Sequence, residues 1–276
     1  PMDLNPGKLC NGLKSIPEEI KELTKLETFY VANGELESLP EGLANLMSCT
    51  AIEIYNCPKM ETFPAVLAKM PALVSVNLSC NPQWNKVHGT NAEGETVSES
   101  DYGLDLLANS DSRRLIQILY MNNAKLTKVD GKKLSAMKSL GLLDLSNNEI
   151  TEITAFGKDI NLVQLHLNNN QLTEMKRADN GEPFCGLADV ETFSVRNNRL
   201  TEFPDIFDAE SKFGMVTVDF SYNNISRFAG YDEKGTKIGD NKGIYVETLT
   251  LANNPIDVYP VMFRDTDSKI AYVNMR

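Results

Sequence analysis

An eleven-residue pattern recurs along the chain and limits the fold more than any other feature of the sequence. In its clearest copy, residues 162–172 carry leucine at positions 1, 4, 6 and 11 and asparagine at position 9. Residues 140–150, 190–200 and 246–256 repeat this arrangement. Weaker copies begin at Leu26, Cys49, Leu73, Ile116, Met215 and Ile270. The chain is therefore built from about ten similar segments, as in proteins made of stacked repeats.

Positions 3 to 7 of each copy alternate between polar and apolar residues, which is the pattern of a strand with one buried face. One repeat cannot bury its apolar residues alone, so successive repeats are expected to stack and share a continuous core. The asparagine at position 9 lies where the strand ends. Its amide is expected to bond backbone groups that would otherwise be buried unpaired. Gly34, Cys57 and Ala124 replace it, which predicts a weaker asparagine ladder at those positions.

The pattern LxxLxLxxNxL resembles that of the leucine-rich-repeat family, and the spacing LPxxIxxL that follows it resembles bacterial surface members of the internalin-like type. This resemblance covers nearly the whole chain. It implies an α/β repeat fold, a solenoid curved into a horseshoe, with a parallel β-sheet on the concave face and short helices or turns on the convex face. Residues 1–276 would then form a single leucine-rich-repeat domain. Prolines such as Pro17, followed by a helical pattern over residues 18–23, fit such helices.

Three repeats are longer than the others. Their extra residues lie near 88–103, 176–187 and 229–243 and are rich in Gly, Asp, Asn, Glu and Ser, a composition typical of turns and loops. Each insertion follows the second apolar residue after the asparagine, which predicts that all three emerge on one side, away from the strands. Two interpretations stay open, tolerated surface loops or an additional binding surface.

The formal net charge of −11 constrains the partners. Phosphate backbones and anionic lipids repel such a chain, so we expect neither nucleic acid nor membrane insertion. No run of about 18 apolar residues is present, and the first residues lack the pattern of a signal peptide. The resemblance to surface proteins still favours an extracellular or cell-surface location.

Residues typical of catalysis are sparse. The chain has no GxSxG, HExxH or GxGxxG motif, and only His88 and His166 could act as an imidazole base. The cysteines form no CxxC pair, which argues against a zinc site and leaves their disulfide state open. They are Cys10, Cys49, Cys57, Cys80 and Cys185. We therefore expect no enzymatic activity, no metal and no cofactor.

Side chains at positions 3, 5 and 7 of the strands point away from the core and are the candidate binding residues. The aromatic and apolar members of this set are Tyr30, Tyr55, Ile118, Tyr120 and Leu142. Exposed clusters of that kind often mark recognition sites. The charged members are Asp144, His166, Arg196 and Asp219. They could contact polar groups of a ligand, although for the aspartates a structural role in the repeat consensus is an alternative.

These features predict a non-catalytic recognition module that binds a protein on the concave sheet, with a glycan as the second choice of ligand. Two alternatives stay open. The chain could be a structural spacer within a larger surface protein. It could also be the targeting half of an enzyme whose catalytic domain lies outside these residues.

Overall fold

A computed structural model describes residues 12–186, 190–207, 215–239, 243–258 and 269–276. The chain divides into two compact units, Pro1–Leu126 (unit 1) and Thr127–Arg276 (unit 2). Each of the ten repeats contributes one strand to parallel sheet structure, four strands in unit 1 and six in unit 2. This confirms the repeat architecture, while the expectation of a single domain over residues 1–276 stays a prediction.

Unit 1 contains a four-stranded parallel sheet and an antiparallel hairpin. Its strands are β1 (Thr28–Ala32), β2 (Ala51–Tyr55), β3 (Ser75–Asn77), β4 (Val87–Thr90), β5 (Thr96–Ser98) and β6 (Ile118–Tyr120). β1, β2, β3 and β6 pair in that order, and β4 pairs with β5 in the hairpin. Because the register matches one repeat position to the same position in the next repeat, like positions form rows across the sheet.

Short helices precede the first strand of unit 1 and lie between the later strands. Its 3₁₀ helices are Glu18–Glu22, Glu41–Asn45, Ala65–Lys69 and Pro82–Asn85, and its α-helix, α1, is Glu99–Ala108. Pro17, Pro40 and Pro64 are the N-cap residues of the first three, which confirms that the prolines lead into helices. Proline suits this place because its ring fixes φ and it has no N–H to leave unpaired.

The first insertion differs from its prediction. Its composition suggested loops over residues 88–103, but these residues form the β4–β5 hairpin and the start of α1. The Ser98 hydroxyl accepts a hydrogen bond from the Asp101 N–H at 3.1 Å and so caps the helix. Leu104 is buried, and Gly103 lies so close to Phe63 that a β-carbon there would be 2.0 Å from the ring. Burial of this helix on the core, which composition does not reveal, keeps the segment folded.

Unit 2 contains a six-stranded parallel sheet and three two-stranded parallel pairs. The three pairs are separate from the six-stranded sheet. The strand bounds are β7 (Lys128–Val129), β8 (Leu142–Asp144), β9 (Glu152–Ile153), β10 (Gly157–Asn161), β11 (Gln164–His166), β12 (Cys185–Gly186), β13 (Thr192–Ser194), β14 (Glu202–Phe203), β15 (Met215–Asp219), β16 (Arg227–Phe228), β17 (Tyr245–Thr250) and β18 (Lys269–Asn274). β8, β11, β13, β15, β17 and β18 pair in that order in the sheet, and the two-stranded pairs are β7–β9, β10–β12 and β14–β16. Among the described residues of this unit there is one short helix, α2, which spans Gly131–Leu134.

The core of unit 2 is a stack of like positions from successive repeats. Leu145, Leu167 and Val195 occupy position 6 of three neighbouring repeats and are each 0% exposed. The Leu145 N–H donates to the His166 carbonyl and the Leu167 N–H donates to the Ser194 carbonyl, so the three residues stand side by side. Ring contacts among seven phenylalanines extend this core. The predicted stacking of apolar positions is confirmed.

A buried asparagine ladder joins the repeats at position 9. The Asn198 amide nitrogen donates to the Leu167 carbonyl (2.9 Å) and to the Val195 carbonyl (3.1 Å). Its Oδ1 accepts from the Leu172 N–H at 3.0 Å. Equivalent bonds occur at Asn81, Asn170, Asn223 and Asn254. Where cysteine stands at position 9, the Cys57 thiol lies 4.0 Å from the Val31 carbonyl, so the ladder is weaker there, as predicted.

Candidate functional site

The candidate site is the row of side chains that each sheet presents outward, which we call the strand face of that unit. It comprises positions 3, 5 and 7 of each repeat. The three-residue strands β3, β6, β8 and β11 each bury their central residue at position 4 and leave positions 3 and 5 partly exposed. All nine predicted residues lie on a strand face, four in unit 1 and five in unit 2.

The strand face of unit 1 carries three partly exposed tyrosines. Tyr30 lies opposite Glu53 on the next strand, Glu53 lies opposite Asn77, and Asn77 lies opposite Tyr120. These four residues form the position-5 row, and Tyr55 stands two residues further along β2 from Glu53. The sheet thus brings aromatic rings from three repeats to one surface. Sequence reasoning selected the tyrosines but not Glu53, although the carboxylate stands in the same row.

The electrostatics of this face reflect its crowding. Burial raises the pKa of the Glu53 carboxyl, and a hydrogen bond from the Asn77 side chain partly opposes that rise. The pKa of the Tyr55 hydroxyl is also raised, chiefly by its hydrogen bond with the Cys80 thiol and further by the neighbouring Glu53 and Tyr30. Glu53 and Tyr30 therefore both influence the Tyr55 hydroxyl.

The apolar cluster predicted for Ile118, Tyr120 and Leu142 divides between the two units. Ile118 and Tyr120 are partly exposed ends of β6 in unit 1. Leu142 is the partly exposed first residue of β8 in unit 2. Each residue has the exposure that the alternation predicted, and their common role in binding stays a prediction.

The two predicted aspartates of unit 2 stabilise the turn that follows their strand. Asp144 Oδ1 accepts a hydrogen bond from the Ser146 N–H at 2.9 Å, and Asp219 Oδ1 accepts one from the Ser221 N–H at 2.8 Å. This side-chain-to-backbone bond explains why aspartate recurs there. Between them in the row, His166 Nε2 lies 3.5 Å from the side-chain oxygen of Gln164. The structural role of the aspartates does not test their proposed contact with a ligand.

Position 8 adopts a left-handed backbone conformation in each of the nine repeats that include it. Asn169 and Asn197 have φ values of 57° and 56°, and asparagine tolerates this region better than most residues. The Asn197 amide donates to Asn169 Oδ1 at 2.8 Å, and the Asn169 amide donates to Asn147 Oδ1 at 2.7 Å. The signal was present in the sequence, because Asn recurs directly before position 9.

Asparagine is replaced at this position by Cys80 in one repeat and by Tyr222 in another. Tyr222 has a φ of 55°, and the residue is 45% exposed. The Arg196 guanidinium carbon lies 4.1 Å from the ring centroid, and Arg196 Nη1 donates to Ser221 Oγ at 2.9 Å. A bulky side chain in this conformation is strained by about 1–2 kcal/mol. Strained residues concentrate at functional sites, so Tyr222 joins the predicted Arg196 as a candidate.

His88 lies outside the strand face, and its contacts stabilise the first insertion. His88 stacks on Tyr102 with ring centroids 3.5 Å apart, and its Nδ1 lies 3.1 Å from Glu99 Oε1. The other oxygen of Glu99, a buried residue, accepts from the Phe63 N–H at 2.9 Å. These contacts hold the β4–β5 hairpin to α1 and to the repeat beneath it.

The second insertion borders a groove in unit 2 of about 920 Å³. Its walls come from residues 130–135, 151–158 and 173–182, and they mix basic side chains such as Lys132 and Lys158 with acidic ones such as Glu152. Lys158 pairs with Glu182 across it at 2.7 Å. The insertion therefore shapes a surface feature, while the two interpretations of the insertions stay open.

The cysteines that the structure describes are free thiols. They are Cys49, Cys57, Cys80 and Cys185, and Cys10 lies outside the described residues. Burial raises the pKa of the Cys185 thiol to about 12. Within the described ranges no group of three His, Cys, Asp or Glu residues is placed to hold a metal ion. In the same part of the chain, no helix has the length and apolar character needed to cross a bilayer.

Solved structures with the same repeat architecture are known. A leucine-rich repeat protein of Bacteroides eggerthii superposes with a TM-score of 0.77 and 30% identity, over 98% of this chain and 45% of that one. A leucine-rich repeat protein of Bacteroides thetaiotaomicron superposes with a TM-score of 0.77 and 31% identity, over 97% of this chain and 32% of that one. The functional domain of InlJ from Listeria monocytogenes, at 17% identity and a TM-score of 0.55 over 95% of this chain and 46% of that one, shares the fold.

Two curated proteins extend the comparison. Mouse podocan is 31% identical over 210 residues, which are 70% of this chain and 33% of podocan. An adenylate cyclase of Schizosaccharomyces pombe is 24% identical over 258 residues, which are 88% of this chain and 15% of the cyclase. The chain thus spans about a third of podocan and a smaller part of the cyclase. No protein-family model matches the chain. The recurring LxxLxLxxNxL strands, the asparagine ladder and the solved neighbours together show that the chain belongs to the leucine-rich-repeat family.

Proposed function

We propose that the protein is a non-catalytic recognition module that binds a protein partner on its strand face. One observation carries the proposal. Tyr30, Tyr55 and Tyr120 present partly exposed rings on the strand face of unit 1, at positions where the fold requires only a side chain that points outward. Tyrosine contributes large contact area at low entropic cost, which is why it is enriched at the centres of protein interfaces.

Unit 2 offers a second contact region of different chemistry. Arg196 and Tyr222 form a preassembled pair, and both residue types are common among those that dominate binding energy. The strain at Tyr222 favours a role in binding, because the asparagine found at position 8 of most other repeats would reduce it. A glycan remains the second choice of ligand, since tyrosine rings and polar rows also suit sugars.

The experiment that tests the proposal compares two matched triple variants. The first replaces Tyr30, Tyr55 and Tyr120 by serine. The control replaces three exposed apolar residues that lie off the strand face, Leu23, Met47 and Leu115, by serine. Both variants and the native protein are used to capture partners from the surface fraction of the source cells, with quantitative mass spectrometry and circular dichroism as readouts.

A protein captured by the native chain and the control, but reduced at least tenfold by the tyrosine variant, supports the proposal. Equal capture by all three refutes it and favours a structural spacer. Tyr222→Asn is a further variant for the same experiment. It loses a cation–π contact of about 0.5–1 kcal/mol, and the relief of backbone strain offsets that loss. We expect little change in thermal stability and weaker capture.

The location and the wider context are proposals as well. We propose a bacterial protein that is secreted or held at the cell surface, supported by the internalin-like spacing and by neighbours from Bacteroides and Listeria. Labelling of intact source cells with an antibody tests this, and labelling only after lysis contradicts it. The match to part of an adenylate cyclase supports one alternative, the targeting half of an enzyme, which the full-length reading frame will decide.

A further inference from the structure

Among the described residues, Glu53 is the only charged residue on the strand face of unit 1. The sheet there has four strands, and its other outward positions carry tyrosine, threonine, serine, asparagine, alanine and one isoleucine. The rest of the unit has many acidic residues on exposed surfaces. Glu53 therefore differs from the acidic residues that cover the exposed surfaces of the unit, because its neighbours on the strand face are neutral and include tyrosines.

The register places tyrosines beside this carboxylate. Tyr30 is the directly paired residue on β1, where parallel strands run about 4.8 Å apart. Tyr55 follows Glu53 by two residues on the same face of β2, at about 6.6 Å along the strand. Tyr120 lies two strands away in the same row, beyond Asn77. The spacings from Glu53 to Tyr30 and to Tyr55 are both within the reach of a tyrosine ring.

Glu53 is also partly withdrawn from water. The residue is half-buried, and the Asn77 side chain donates a hydrogen bond to the carboxylate, which orients it. Burial raises its pKa, which means that the ionised form is poorly solvated in the free protein. Among the residues that the structure describes, no basic side chain contributes to the pKa of Glu53. A bound cation would supply the missing compensation.

The chemistry selects a particular cation. A guanidinium group is planar, more weakly hydrated than an ammonium, and able to stack on an aromatic ring while its N–H groups point at a carboxylate. A lysine ammonium would have to give up a stronger hydration shell to enter the same surface. The flat, aromatic and singly charged surface around Glu53 therefore fits arginine better than lysine.

We propose that Glu53, Tyr30, Tyr55 and Asn77, which we call the Glu53 site, bind an arginine side chain presented by the protein partner. The inference rests on the proposed function for the idea of a protein partner. It adds the chemistry of one anchor residue of that partner. Glu53 forms the ion pair, Asn77 orients it, and the tyrosine rings cover the guanidinium.

A titration with small probes tests the site without knowledge of the partner. The full chain, with ¹³C-labelled tyrosine rings, is titrated with N-acetyl-arginine methylamide, with the lysine equivalent, and with the neutral citrulline equivalent. We expect the Tyr30 and Tyr55 ring signals to shift saturably with the arginine probe, with Kd on the order of millimolar for so small a ligand. Citrulline should bind at least tenfold more weakly.

Two variants locate the effect. Glu53→Gln keeps the shape of the side chain and should weaken arginine binding by about tenfold, which is about 1.4 kcal/mol. Glu37→Gln removes an exposed carboxylate of the same unit off the strand face and should leave binding unchanged. Equal binding of arginine and citrulline, or unchanged affinity in Glu53→Gln, overturns the proposal, and tighter binding of lysine overturns the choice of arginine.

The titration and the capture experiment fail in different ways. If the tyrosine triple variant loses capture but the arginine probe does not bind, the Glu53 assignment is wrong and the recognition function stands. If the probe binds at Glu53 but no capture depends on the tyrosines, the assignment to a protein partner is wrong. Arginine binding together with loss of the captured protein in Glu53→Gln supports both.

Discussion

Replacement of Asn198 by alanine is the perturbation whose cost can be worked most directly from the structure. The side chain makes three buried hydrogen bonds to backbone groups, two as donor and one as acceptor. The groups do not suffer equally when it is removed. The Leu167 carbonyl keeps the Asn170 amide at 3.0 Å, and the Val195 carbonyl keeps the Asn223 amide at 3.0 Å.

Among the described residues, the Leu172 N–H has no such replacement, because its acceptor is Asn198 Oδ1. A buried N–H without a partner costs about 1–3 kcal/mol. Each of the two carbonyls loses one of its bonds, at about 0.5 kcal/mol apiece. We therefore expect Asn198→Ala to lower the free energy of unfolding by about 2–4 kcal/mol.

Equilibrium urea denaturation followed by circular dichroism measures this loss, with Asn180→Ala as the matched control. Asn180 is exposed, and its side chain accepts one bond from the Glu182 N–H in a turn. The control should lose no more than about 0.5 kcal/mol, as surface substitutions usually do. If Asn198→Ala is no more costly than the control, the asparagine ladder does not stabilise the stack and the reasoning is refuted.

Three further predictions concern other parts of the chain. Gly103→Ala should destabilise by about 1–3 kcal/mol through overlap with Phe63, whereas Gly89→Ala, with open space around it, should be neutral in the same thermal melt. The folded state raises the pKa of Glu53, so the contribution of this residue to stability is present when the carboxyl is protonated and is lost as the pH rises through the folded pKa. The Tm of Glu53→Gln should therefore exceed that of the native protein near neutral pH. The difference between the two Tm values should vanish at about pH 4. Cys185, with a pKa of about 12, should resist iodoacetamide at about pH 8 until the protein is unfolded in guanidinium, and rapid labelling of the folded protein would contradict its burial.

The repeat itself was predictable from sequence because its pattern is local and recurs in about ten copies. Leucines at positions 4 and 6 mark the buried side of each strand, and Leu145 and Leu167 are buried as that alternation requires. The role of Asn198 was predictable for the same reason, since a polar side chain at the end of a buried strand must satisfy backbone groups there. The tyrosines of the strand face followed from the same period.

Contacts between repeats depend on the register and on packing, which local patterns do not contain. Glu53 could be assigned to an outward position, but only pairing of β1, β2 and β3 placed it between Tyr30 and Asn77. Composition suggested a loop in the segment where α1 forms. The helix forms there because the burial of Leu104 on the core outweighs the local preference of the segment.

The sequence alone therefore determined the fold family and which side of each strand is buried, because a period of two residues and a repeated core leave one arrangement that hides the apolar side chains. The tertiary structure decided which side chains become neighbours across strands. It also revealed the strained Tyr222 against Arg196 and the helix inside the first insertion. Those features arise from contacts between residues about 25 or more positions apart, and the free energy of such contacts is settled only when the repeats stack.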